Sequence, residues 1–246
     1  MKESRVKTIG LIGGMSWEST LVYYRLLNEG VRARLGAMHS ADVLLRSLDF
    51  EAVVQLQSAG RWDEAGTMLG TAGAGLVRAG ADCVLICTNT MHLVSEAVER
   101  DSGVRLVDII VETGRAVTAA GCRRPLLLAT RYTMEHGFYA DRMRRDCGLE
   151  VVVPEATDRR LVHDVIFDEL CRGIVRDASR ARLQEAIGRG VAAGADSVIL
   201  GCTEICLLLD PGALPVPGFD STAIHVEAAL SFAFDADVGD KLSAVA

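Results

Sequence analysis

Two segments of the chain end an aliphatic run in small polar and thiol-bearing side chains. They are "VLICTNTMH" at 84–92 and "DSVILGCTE" at 196–204. The chemistry open to them is proton transfer and anion binding. Cys202 follows a glycine and precedes Thr203 and Glu204 at a predicted strand-to-helix turn. Free backbone N–H groups at such a turn favour a thiolate and bind a carboxylate. A cysteine titrates at about 8.5 when unperturbed and can be brought lower, so thiolate is available near neutrality. Cys202 therefore reads either as a working thiol or as a buried structural one. Asn89 and Thr90 occupy the matching turn in the first segment. Their donors suit a carboxylate, and they equally suit ordinary helix capping.

Other chemistry-bearing patterns are weaker. Cys83 with Cys87, and Cys202 with Cys206, are spaced C-x3-C, whereas metal pairs usually sit at C-x2-C. No metal site is expected. Cys83, Cys122, Cys147 and Cys171 read as small hydrophobes or inert thiols. "GLIGGMS" at 10–16 lacks both the G-x-G-x-x-G spacing and a phosphate-loop lysine. Its glycines serve close backbone approach to a small ligand, or a tight turn.

The elements that must position these residues alternate. Strands are predicted at 7–14, 41–50, 82–88 and, more weakly, 105–109, with helices after Ser16, over 61–80 and from about Met91. The pattern then restarts. A strand at 124–130 leads to a helix over 132–148, a strand over 149–156, helices over about 159–175 and 178–194, a strand over 196–204 and a helix from Ala223 to Phe234. This alternation predicts an α/β fold with parallel sheets flanked by helices.

The restart is a repeat. "AGADCVLICTN" at 79–89 and "AGADSVILGCTE" at 193–204 share their lead and an aliphatic strand. Aligned on Asp82 and Asp196, Thr88 falls opposite Cys202 and Cys87 opposite Gly201. The strands near 9–14 and 126–131 pair in the same order, which argues for a duplicated α/β unit. Ligands in such sheets bind beyond the carboxyl ends of the strands. Gly13, Gly14, Thr88, Asn89, Thr130, Cys202 and Thr203 all fall there. A cleft between two facing lobes would carry Thr88 on one wall and Cys202 on the other.

Bulk composition excludes several roles. The chain has 246 residues, half of them hydrophobic, and a formal charge of −7. That suits a well-buried domain pair and disfavours nucleic-acid partners or an anionic membrane surface. The apolar run at the N-terminus is too short for a signal peptide, and no run approaches a transmembrane span. Seven cysteines without a secretion signal fit free thiols. A cytoplasmic protein is expected.

Five ordered motifs, "IGLIGGMSWEST", "YYRLLNEG", "CTNTMH", "GCTEI" and "FDSTAIH", together resemble the cofactor-independent aspartate/glutamate racemase family over nearly the whole chain. The resemblance implies two pseudo-symmetric lobes, 1–117 with 219–246 and 118–218, the site between them, no pyridoxal phosphate, an amino-acid substrate and a homodimer. Two cysteines flank the substrate Cα in that family, one in Cys-Asn-Thr and one in Gly-Cys-Thr. Here Thr88 takes the first position and Cys202 the second. Cys87 lies one residue early, and side-chain alternation along a strand turns it into the packing.

Met15 and Gln57 match pocket-lining positions of the family. Asn89, Thr90, Thr130, Thr203 and Glu204 complete the expected substrate-binding set. A basic residue for an acidic substrate is expected where Leu161 stands, with Arg159, Arg160, His163 or Arg46 as substitutes. The implied reaction is racemisation at Cα, on L-aspartate or L-glutamate or on a broader set. The alternatives are a single-cysteine decarboxylase or isomerase, or a non-catalytic binding protein.

Overall fold

The computed structural model describes residues 6–235. Two parallel sheets carry the fold. The first contains β1 (Ile9–Gly13), β2 (Val43–Ser47), β3 (Cys83–Ile86) and β4 (Leu106–Val107), in the order β2-β1-β3-β4. The second contains β5 (Pro125–Leu128), β6 (Ser197–Leu200) and β7 (Gly218–Asp220), in the order β5-β6-β7. Strands β1, β3, β5 and β6 are buried throughout, as their unbroken aliphatic runs require in a sheet covered on both faces.

The helices are α1 (Trp17–Leu35), α2 (Phe50–Ser58), α3 (Trp62–Arg78), α4 (Ser95–Ser102), α5 (Ile109–Ala119), α6 (Arg131–Glu135), α7 (Phe138–Cys147), α8 (Ala156–Asp164), α9 (Asp177–Ala192) and α10 (Ser221–Phe234). Helix α10 returns to the first sheet, where Val226, Ala229 and Leu230 pack with Leu11, Tyr23 and Leu85. Ile109 and Ile110 at the start of α5 pack instead with Leu127, Val162 and Ile199 around the second sheet.

Hydrogen bonding repeats between the halves. The Asp82 carboxylate accepts from the Thr8 amide at 2.7 Å just before β1, and Asp196 accepts from the Arg124 amide at 2.9 Å just before β5. At the other end Cys87 N–H donates to the Ile12 carbonyl and Gly201 N–H to the Leu128 carbonyl. Strands β3 and β6 each stop four residues after their aspartate. The chain reaches the cleft at Thr88 and Cys202 by the same path.

Three strand ends hand over to helices through the same device. Asp49, Asp108 and Asp220 each accept amide N–H bonds from the first turn of α2, α5 and α10. Gly14 has φ +87°, and a Cβ there would stand 2.2 Å from the Leu48 carbonyl oxygen. Only glycine allows the β1 and β2 loops to touch.

Several predicted elements change. Residues 149–156 form no strand; Val152 makes a single bridge to Leu126 while its neighbours pack against the core. The helix predicted over 132–148 breaks at Gly137, which sits in the left-handed region. The one predicted over 159–175 starts at Ala156, widens to a π-helical turn over Val165–Glu169 and ends in a 3-10 turn at Leu170–Arg172. Helices α2 and α5 and strand β7 have no counterpart in the sequence reading. The runs of α2 and β7 are too short and too mixed for a periodic signal, and α5 begins inside the stretch read as a strand at 105–109.

Two buried histidines tie the first sheet to its helices. His225 Nε2 lies 2.7 Å from the Val107 carbonyl and must donate, so Nδ1 accepts from Tyr23 O–H at 2.8 Å. His92 Nε2 accepts from Ile109 N–H, so Nδ1–H donates to the Thr88 carbonyl at 2.8 Å. Neither ring holds a second proton without losing a bond. Burial pushes His225 down to about 3 and lowers His92.

Between pH 6.5 and 3 the unfolded chain therefore binds more protons than the folded one. Stability is lost as pH falls through that window, at about 1.4 kcal/mol per pH unit for each fully depressed histidine. Urea unfolding at pH 7.5 and 5.0 should show wild type losing about 2 kcal/mol more than His225→Gln on acidification. Parallel losses would refute this.

Candidate active site

All nine residues of the predicted site line one pocket between the two sheets: Thr88, Cys202, Met15, Gln57, Asn89, Thr90, Thr130, Thr203 and Glu204. Its cavity volume is about 50 Å³. A larger groove of about 870 Å³ runs between edge strand β2 and α3 and contains none of these residues.

Thr88 follows β3 and is half-buried, its backbone carbonyl held by His92. Cys87 is fully buried and packs on the opposite side of the sheet with Tyr23, Leu27 and Val226. Burial drives its thiol well above the ordinary range.

Cys202 follows β6 and is 9% exposed; Glu204, two residues on, is 5% exposed. The Glu204 carboxylate draws donors from both halves of the chain. Ser16 and Ser19, at the N-terminal turn of α1, donate to Oε1 at 2.6 and 2.9 Å. The Cys202 thiol donates to Oε2 at 2.9 Å, and the Cys171 thiol reaches Oε1 at 3.8 Å. Four donors on two oxygens are what an ionised acceptor collects.

This corrects the expectation that the turn lowers the Cys202 thiol. Burial raises it well above its ordinary value, and the adjacent Glu204 charge raises it further. The Glu204 backbone N–H pulls the other way and is outweighed. Cys171 is pushed up to about 12, by burial and then by Glu204.

Across the pocket, Thr90 Oγ1 bonds Thr133 Oγ1 at 2.8 Å and Thr130 Oγ1 at 3.3 Å, a hydroxyl cluster that joins the two halves. Asn89 Nδ2 donates to Ser221 Oγ at 3.2 Å, and Ser221 gives its own proton to the Leu200 carbonyl. That sequence of donors fixes the amide orientation and leaves Asn89 Oδ1 buried with no partner. Thr203 bonds Thr222 at 3.2 Å.

The basic residues expected for an acidic substrate do not line the pocket. Leu161 is buried in the second core. Arg159 bonds Glu135 and the Pro154 carbonyl, and Arg160 is exposed. Arg46 lies on the separate groove beside β2. His163 is absent from the pocket lining and packs against Phe167, with ring centroids 4.6 Å apart and planes tilted by 51°. Ile166 and Phe167, on the π-helical turn, line the pocket, while Leu161, upstream on α8, is buried in the core.

Ser16, Ser19, Phe50, Val53, Met91, Ile166, Phe167 and Cys171 also line the pocket and were absent from the sequence reading of the site. Ser16 and Ser19, one helical turn apart just after the glycines, were the available signal. Cys171 offered none. Among the described residues, no three His, Cys, Asp or Glu side chains gather as metal ligands, and no helix is long and apolar enough to cross a membrane.

Residues 12–229 match the profile of the Asp/Glu/hydantoin racemase family, and the chain belongs to that family. An Asp/Glu-racemase-like protein of Yersinia pestis is 44% identical, with 93% of this chain and all of that chain covered at a TM-score of 0.87. An aspartate racemase homologue from Pyrococcus horikoshii is 33% identical, with the same coverage and a TM-score of 0.83. The aspartate racemase of Picrophilus torridus shares the fold at 21% identity, covering 92% of this chain and 94% of that chain at a TM-score of 0.72.

Proposed function

We propose that this pocket racemises an amino acid at Cα without pyridoxal phosphate, with Cys202 and Thr88 on opposite faces of the reacting carbon. The observation that carries the reading is the placement of one thiol and one hydroxyl at equivalent strand ends of a duplicated fold, facing a shared pocket.

A Cys202 thiol bonded to Glu204 cannot take a proton until it has given its own away. Glu204 is the acceptor in reach, at 2.9 Å. The thiolate so formed abstracts the α-proton of the L-enantiomer. Thr88 O–H delivers a proton to the other face and recovers one from water, and Glu204 gives the proton it took from Cys202 back to the hydroxide so left, which returns every group to its starting state. The enediolate formed between these steps collects charge on the α-carboxylate, which the hydroxyls of Thr90, Thr130 and Thr203 and the amides of the 3-10 turns Thr90–Val94 and Thr203–Leu207 stabilise. The orphan Asn89 Oδ1 accepts from the α-ammonium. Gln57 and Met15 border the space left for the side chain.

The test is proton NMR of L- and D-amino acids in deuterated water. Loss of the α-proton signal with formation of the other enantiomer supports racemisation. Carbon dioxide release from an α-substituted malonate would favour a decarboxylase, for which one thiol suffices. Absence of both, with ligand-induced thermal stabilisation, would leave a binding protein.

A further inference from the structure

The composition of the pocket wall bears on the side chain of the substrate, and the inference rests on the racemase reading above. Among the described residues, Glu204 is the charged group that lines the pocket. It already holds two hydroxyls and two thiols, so it neither needs nor has room for a cationic partner. No lysine or arginine lines the pocket with it. Of the arginines close to pocket elements, Arg159 bonds Glu135, Arg142 bonds Asp108 and Ser95, Arg172 pairs with Asp168, and Arg131, next to Thr130, is exposed and does not line the pocket.

His163 does not line the pocket, and its Nδ1 accepts from the Arg131 amide. Burial and the Arg131 charge lower it, which keeps the ring neutral. A substrate carrying a side-chain carboxylate would lose its water shell beside the Glu204 carboxylate with no cation to replace it.

What the wall does offer is apolar. Met15, Phe50, Val53, Met91, Ile166 and Phe167 face the space, with Gln57 as an uncharged polar group among them. The polar groups that remain are enough for the α-carboxylate and α-ammonium and leave no charged anchor over. We propose that the pocket takes amino acids with uncharged, predominantly apolar side chains, and that Phe167 and Val53 set this preference.

The experiment compares L-methionine, L-leucine, L-aspartate, L-glutamate and L-lysine by α-proton exchange in deuterated water and by thermal shift, on wild type, Phe167→Arg and Phe167→Leu. Exchange on methionine or leucine should exceed that on the acidic pair and on lysine by about tenfold or more in kcat/KM, a gap of about 1.4 kcal/mol. Phe167→Arg should narrow or reverse the gap toward the acidic pair, while Phe167→Leu should keep it.

Faster exchange on aspartate or glutamate would overturn the side-chain inference and leave racemisation standing. Preference for lysine would overturn it too, and would assign Glu204 to the side chain. No exchange on any of the five would end the racemase reading. The thermal shifts would still decide the wall: stabilisation by the neutral pair alone supports it, and equal or greater stabilisation by the charged ones refutes it.

Discussion

Replacing Cys202 with serine should reduce α-proton exchange from the L-enantiomer by about 10³-fold, since a positioned acid–base group contributes 10² to 10⁴. Serine is nearly isosteric and can keep the hydrogen bond to Glu204, so the fold and the pocket should survive; only the acidity changes. A hydroxyl cannot be brought to its anion by a carboxylate, whereas a thiol can be drawn toward it.

The same difference governs Thr88. As an acid it suffices for the L-to-D direction, but as a base it is poor, so turnover from the D-enantiomer at saturation should be slow. Because the two enantiomers are equally stable in solution, kcat/KM must be equal in the two directions. Slow D-side turnover is therefore matched by a low KM. Thr88→Cys should raise kcat from the D-side and its KM together. The measurement is initial-rate exchange for each enantiomer with wild type, Cys202→Ser and Thr88→Cys. Persistent exchange in Cys202→Ser would remove the thiol from the reaction, and an unchanged D-side rate in Thr88→Cys would remove Thr88.

The second large effect runs in two directions at once. Glu204→Gln removes the charge that, after burial, does most to raise the Cys202 thiol. Alkylation of Cys202 by iodoacetamide at a fixed pH should become faster, with the midpoint of its pH profile moved down. Exchange activity should fall, by about 10²-fold, because the acceptor for the thiol proton is gone. A merely structural role for Glu204 would slow exchange without moving the alkylation midpoint down. A role as a simple electrostatic obstacle would speed both. Peptide-resolved mass spectrometry separates Cys202 from the other six cysteines. Glu204→Asp, which keeps the charge on a shorter stem, should restore part of the activity and leave the midpoint high.

Much of this site was legible in the sequence because it sits where local rules are strongest. The aliphatic runs fix β1, β3, β5 and β6. A strand's end is where its polar residues must begin, and the AGAD repeat sets Thr88 opposite Cys202 by counting alone. Strand β7 and helix α2 escaped because three residues and nine mixed ones carry little periodicity, and the Val151–Val153 run looked like a strand that found only one bridge.

The sequence by itself determined a duplicated α/β fold, two cleft-facing strand ends and the identity of the groups on them. Only the tertiary structure decided their protonation and their company. The bonds from Ser16 and Ser19 to Glu204 join residues 188 and 185 positions apart, and no spacing rule reaches that far. Those bonds hold a carboxylate against Cys202 inside a buried pocket, which reverses the acidity expected from the turn alone. The fold likewise brings Ile166 and Phe167 of the π-helical turn to the pocket wall, while Leu161, where a cation was expected, is buried in the core. Residue types are written locally, but desolvation and the nearest charge depend on the whole fold.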